Sequence, residues 1–198
     1  MESANLNGVA GRYPMLELIK RKLFKIIFWM FVLIAVPFSI LMLVGSQRFE
    51  YQAEVKLEAT AEAIFPYLHD PDKVTLWQNG VLELKTDGNN FNRPGDTATL
   101  RLQGTSGKNS NHAFGMVIKD IFPSTHLITE SEADIFKSQS TWELKTFADH
   151  SIVRHKVACF YSGVGRFLAP FMTDEAERQM REDLWKLKEV VEAEQGDS

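Results

Sequence analysis

The sequence predicts an antiparallel α+β domain behind one N-terminal membrane helix, and three observations predict it. Residues 26–44 form a nineteen-residue run without a charge. Period-two alternation then returns in six or seven short stretches. A single long stretch of helical periodicity closes the chain.

The totals set bounds. A chain of 198 residues with 44% hydrophobic content holds one ordinary domain and something extra. A formal charge of -4 argues against the basic face of a nucleic-acid binder, so no nucleic-acid partner is expected. Cys159 is the only cysteine, which excludes an internal disulfide and a cysteine-based metal framework. Charge is uneven: residues 1–46 carry a net +3, leaving -7 for the rest.

The run at 26–44, IIFWMFVLIAVPFSILMLV, is about 28 Å long as a helix, close to the ~30 Å hydrocarbon core. Thirteen of its residues are Leu, Ile, Phe or Val. Together they favour insertion by roughly 4–8 kcal/mol, which tolerates Ser39 and a kink at Pro37. A buried core helix would show a polar stripe, and a secretory signal would be shorter and end in a small-residue cleavage site. Val44-Gly45-Ser46 is a poor site of that kind, so the segment reads as an uncleaved single-pass anchor over 23–45. Lys20, Arg21, Lys22 and Lys25 crowd one flank, against Arg48 close on the other. The positive-inside rule then predicts a cytoplasmic N-terminal tail (1–22), a helix in the cell membrane and an extracytoplasmic domain (47–195). Residues 1–19 are expected to be poorly ordered.

Each later element has its own signal. In RFEYQAEVKLE, Phe49, Tyr51, Ala53, Val55 and Leu57 alternate with charged or amide residues, the mark of a half-buried strand. Thr60 is a plausible N-cap for a helix over 61–68 that Pro66 weakens, and Asp70-Pro71 restarts a second helix carrying Val74 and Trp77 inward. Strand runs follow at 81–86, 97–103, 112–118, 127–131, 136–147 and 152–161, separated by turns rich in Gly, Asn, Asp, Ser or Pro. Thr173 is the expected cap of the last helix. Its stripe is Ala176, Met180, Leu184, Leu187 and Val191, and Pro170 is expected to break the chain before it.

Six or seven strands at ~4.8 Å make a sheet about 30 Å wide, and one helix is only ~10–12 Å thick. One helix cannot fill the concavity of such a sheet. The two short helices plug one end, and an apolar cavity lined by sheet and helix is expected in the remaining space.

The stretch YQAEVKLEATAEAIFPYLHDPDKVTLWQNGV, with the terminal EDLWKLKEVVE, resembles the START-like superfamily of polyketide cyclases, the birch-pollen allergen and lipid-transfer domains. The likeness covers roughly residues 48–194, and a membrane-anchored variant is also similar. It implies a helix-grip fold, an antiparallel sheet wrapped around a long C-terminal helix, and binding of lipids, sterols, polyketides or similar apolar molecules.

The residues on faces assigned inward are the candidate ligand contacts: Trp77, Leu100, His112, Phe114, Met116, Ser140, Trp142, His155, Tyr161, Met180 and Leu184. The polar ones among them would orient a ligand head group. His112 and His155 titrate near neutrality and are conceivable as an acid–base pair, yet no catalytic residue is assigned. Glu130, Glu132 and Asp134 share one strand face without His or Cys at ligand spacing, which reads as a solvated face, so no metal or cofactor is expected. Cys159 reads as a small buried hydrophobe. GTSGKNSN, residues 104–111, reads as a hairpin loop at the pocket rim. Phe167, Leu168 and Phe171, with Met172, read either as packing under the sheet or as an apolar lip touching the bilayer. The expected function is a membrane-tethered binding or carrier protein for a hydrophobic, lipid-like ligand, its partners being that ligand and the bilayer. A cyclase or aromatase type of enzyme and a partner-binding regulatory module are the alternatives.

Overall fold

An extended strand sends successive side chains to opposite faces, and strand β1 follows that rule residue by residue. In the computed structural model, which describes residues 14–88, 90–103 and 111–196, β1 spans Arg48–Leu57. It buries Tyr51, Ala53, Val55 and Leu57 and exposes Glu50, Gln52, Glu54 and Lys56.

The chain divides into two units, one ending at Met42 and the next starting at Leu43. Helix α1, Pro14–Val44, forms the first and ends two residues into the second. It begins inside the stretch expected to be an unordered tail, since proline at a first helical position has its φ already set for a helix. Residues 1–13 of that tail lie outside the described residues. From Ile19 to Val44 the helix is long and apolar enough to cross a bilayer, and its large side chains, Phe24, Trp29 and Phe31 among them, are exposed. Ser39 donates its hydroxyl to the Ala35 carbonyl at 2.7 Å, which satisfies the one hydroxyl of the apolar run.

In the second unit, β1 leads to α2 (Ala61–Ile64), a 3-10 turn (Phe65–Leu68) and α3 (Pro71–Trp77). The Thr60 hydroxyl accepts from the Ala63 N–H at the start of α2. Past Ile64 the expected helix tightens into 3-10 geometry, because Pro66 has no N–H to continue the ladder. Asp70 caps α3 by accepting the Asp72 N–H at 3.0 Å, with Pro71 at the first position.

Strands β2 (Val81–Thr86), β3 (Thr97–Gln103), β4 (Asn111–Phe122), β5 (His126–Ala133), β6 (Phe136–Thr146) and β7 (Ser151–Tyr161) follow. Every neighbouring pair is antiparallel, in the order β1-β7-β6-β5-β4-β3-β2. β4 and β5 are longer than the expected 112–118 and 127–131, with only Pro123, Ser124 and Thr125 between them. Residues 104–110 of the expected rim loop lie outside the described residues.

Helix α4, Gly165–Gly196, lies against β1, β7 and α3. Met180, Leu184, Leu187 and Val191 of its stripe are buried, and with Leu57, Ile64, Trp77, Ile118, Leu127 and Val153 they form the centre of the core. Each such side chain contributes roughly 1.5–3 kcal/mol. The helix starts at Gly165, not after a cap at Thr173, and runs through Pro170. Proline in the second turn removes the N–H that would bond the Arg166 carbonyl. That carbonyl is instead covered by Gly45, where a Cβ would overlap the Arg166 oxygen, so the approach requires glycine. Farther along α4, Asp183 is buried and accepts the backbone N–H of Asn79 at 3.0 Å, tying the helix to the turn after α3.

Candidate functional site

The interior of the domain is organised around three rings. Trp77, at the end of α3, donates its Nε1–H to the Tyr67 carbonyl at 2.8 Å and meets Trp142 edge-on, centroids 5.7 Å apart. β6 and β7 set Trp142 directly opposite His155. Their rings stack at 3.5 Å and 6°, closer than aromatic pairs usually sit. Ser140, two residues along the same face of β6, shares a 2.7 Å hydrogen bond between its Oγ and His155 Nε2. Burial drives His155 down to about 3, so the ring is neutral at physiological pH.

A cavity of about 150 Å³ opens beside these rings. Of the sequence-predicted contacts, Trp77, Leu100, Phe114, Met116, Ser140, Trp142 and His155 line it together. They come from α3, β3, β4, β6 and β7, whose inner faces converge there.

Four predicted contacts lie elsewhere. His112 is exposed, one residue from the start of β4, where the inner face meets solvent. It is three strand spacings from β7, at least roughly 14 Å, and by register it lies several residues along the strands from His155, so the two are not an adjacent acid–base pair. Tyr161 sits at the far end of β7, its hydroxyl 3.3 Å from that of Tyr51 and its ring edge-on to Phe49. Burial, with Tyr51 and Cys159 beside it, pushes its phenol above the usual range. Met180 and Leu184 are buried core residues that do not line the cavity. The reason is the placement of α4 against β1 and β7, which leaves the opposite part of the sheet to α3. The expectation of a cavity walled by the last helix is corrected accordingly: among the described residues, its walls come from the sheet, the α2–α3 corner and the loop after β2.

Several lining residues escaped the sequence reading. Phe91 is buried although it lies in the polar loop between β2 and β3, and its lone aromatic ring among Asn90, Asn92 and Arg93 was the available signal. Thr129 and Ser131 on β5 face Ser140 and Ser138 on β6 in direct cross-strand register. All four line the cavity, making a strip of hydroxyls on one wall. Alternation with the outward Glu130 and Glu132 was the sign that the two β5 hydroxyls point in.

The sheet's opposite face carries a wider groove of about 570 Å³, bordered by Thr99, Val117, Glu130, Glu132, Lys137 and Gln139. Its charges already pair with neighbours, Lys119 with Glu130 at 3.0 Å and Lys137 with Glu132 at 2.7 Å. It is a solvated strand face; the convergent hydroxyls and the buried aromatic rings belong to the inner cavity.

No family model matches the sequence, and no curated protein matches it. Solved structures do. The di-domain ARO/CYC StfQ from the steffimycin biosynthetic pathway superposes with a TM-score of 0.64 at 10% identity, over 77% of this chain and 53% of that one. This chain therefore spans about half the length of StfQ. Protein CV1439 from Chromobacterium violaceum gives 0.60 at 15% identity, over 72% and 96%. Ara h 8.0201 gives 0.58 at 12%, over 74% and 99%. At such identities the likeness speaks for architecture, and the architecture is clear: the seven-stranded antiparallel sheet and long C-terminal helix are the helix-grip fold of START-like and birch-pollen-allergen-like proteins.

Proposed function

We propose that the protein is a membrane-tethered binding or carrier protein for a hydrophobic small molecule held in the inner cavity. The observation that carries this reading is a small aromatic-lined space with its hydroxyls gathered on one wall, set between the α2–α3 corner and the sheet. Such a space binds by apolar burial and orients by a few hydrogen bonds. StfQ, which shares the fold, is an ARO/CYC, the neighbour that favours the cyclase alternative. A cyclase would need a group that moves protons near neutral pH in the cavity, and His155 stays neutral there. Binding is therefore preferred over catalysis.

The tether follows from α1, whose uncharged run ends at Val44. The cationic flank at Lys20–Lys25 favours a cytoplasmic N-terminus and an extracytoplasmic domain. Only Gly45, Ser46 and Gln47 separate the span from β1, so the tether reaches about 10 Å and keeps the domain near the lipid surface. Val164 in the turn before α4 and Leu168 and Phe171 in its first turns are 72%, 42% and 68% exposed, with Phe167 half-buried beside them. This apolar lip is the proposed bilayer contact.

The test is mass spectrometry of small molecules extracted from the full chain purified in detergent. A specific apolar molecule is expected, and Ser138→Phe, which fills the cavity, should abolish its recovery while circular dichroism stays unchanged. Equal recovery from both proteins would refute the reading. A reporter fused to the C-terminus tests orientation; activity of a cytoplasm-only reporter would reverse it.

A further inference from the structure

The walls of the inner cavity carry more information than its apolarity. None of the described residues lining it is Asp, Glu, Lys or Arg. The one titratable side chain among the described lining residues, His155, has its Nε2 tied to Ser140 and its ring face against Trp142, and burial holds it neutral. A charged guest would give up its hydration for a wall that offers no counter-ion. Buried groups in that position neutralise rather than remain charged.

Size narrows the class further. The cavity measures about 150 Å³. Pockets for drug-sized molecules run ~300–1,000 Å³, whereas an engineered apolar cavity of ~150 Å³ accepts benzene. An extended acyl chain or a fused multi-ring skeleton therefore exceeds this space, and one ring fits it.

Polarity is concentrated on one side, the β5–β6 ladder with His155 of β7 beside it, and Gln78 at the end of α3 is the one polar lining residue away from it among those described. Thr129 and Ser131 pair across the β5–β6 ladder with Ser140 and Ser138. Among the described residues, only Ser140 of the four has a side-chain hydrogen bond, the one to His155. The other three hydroxyls sit at the cavity wall, each able to donate and to accept. Apart from Gln78, the remaining walls are aromatic or aliphatic, from Trp77, Phe91, Leu100 and Phe114 among others.

We infer that the cavity selects an uncharged molecule about the size of a single aromatic ring, with one hydrogen-bonding edge that meets the hydroxyl strip of Thr129, Ser131 and Ser138. This rests on the reading of the cavity as the binding site, and it replaces the lipid-like guest suggested by family resemblance with a far more compact one. Recognition would be by shape and by one polar edge, with charge acting as the excluding feature.

The experiment uses the full chain in lipid nanodiscs and fluorine NMR with three probes of one skeleton: 4-fluorobenzyl alcohol, 4-fluorotoluene and 4-fluorobenzoate. Nanodiscs holding the Ser138→Phe protein correct each signal for partitioning into lipid. The alcohol is expected to bind, the toluene to bind roughly three- to tenfold more weakly for want of a polar edge, and the benzoate roughly a hundredfold more weakly or not at all. The double variant Ser131→Ala/Ser138→Ala, which adds no bulk, should reduce the alcohol to the level of the toluene. Benzoate binding as tight as the alcohol overturns the neutral-guest inference while leaving the cavity as a binding site. Displacement of the alcohol by a long-chain fatty alcohol at equal or higher affinity overturns the size argument. If none of the three probes responds, the reading of the cavity as a binding site falls, and this inference falls with it.

Discussion

Asp183 is a carboxyl group set into the core, and replacing it with asparagine should make the protein more stable at neutral pH. Burial raises its pKa from 3.8 to about 6. The Asn79 backbone and side chain and the Lys186 ammonium pull the other way without cancelling it, and Glu182 adds to it. The difference is about two units, and at 1.36 kcal/mol per unit ionisation costs the fold about 3 kcal/mol. The sign follows from the direction: a folded-state pKa above the unfolded one leaves the contribution of the neutral carboxyl intact below about pH 4. It is lost as pH rises through about 6. Asp183→Asn keeps an oxygen to accept the Asn79 N–H at 3.0 Å and removes the charge. At about pH 8 the variant should melt roughly 6–12 °C above the parent, given 2–4 °C per kcal/mol for a domain of this size. At about pH 4 the two should coincide. Near-ultraviolet circular dichroism of the full chain in detergent, scanned at several pH values, reads this directly. A Tm difference that does not change with pH, or a less stable variant at pH 8, would refute the account of Asp183 as a buried carboxyl group that must shed its proton above about pH 6.

Further outcomes follow from other contacts. Trp77→Phe shortens a fully buried ring and strands the Tyr67 carbonyl that Nε1 now satisfies, so urea unfolding should show a loss of roughly 1–3 kcal/mol. Asp70→Ala removes the α3 cap and should cost about 1 kcal/mol in the same assay, with no loss of probe binding. Gly45→Val places a side chain on the Arg166 carbonyl and should open the start of α4 to limited proteolysis; an unchanged cleavage pattern would contradict the close approach. Leu168→Asp with Phe171→Asp alters residues already exposed, so Tm should hold while collisional quenching by lipid-embedded spin labels at the lip falls; undiminished quenching would remove the bilayer contact.

Much of this molecule is written in local pattern. Tyr51, Ala53, Val55 and Leu57 face the core because a strand alternates, Asp70 and Pro71 open α3 because one accepts a free N–H and the other has a preset φ, and the 26–44 run is uncharged throughout. Such features depend on residues a few positions apart, so the sequence by itself determined the α+β order, the seven strands, the apolar N-terminal helix and most inward faces. The tertiary structure decided what those faces enclose. Whether an inward residue lines space or fills it depends on which strand lies beneath which helix: α4 took β1 and β7, so Leu184 became core, while Trp142 and His155 came together at the cavity. Partners far apart in sequence, such as Thr129 with Ser140 and Gly45 with Arg166, likewise follow from pairing register and close approach, and no period in the chain encodes them.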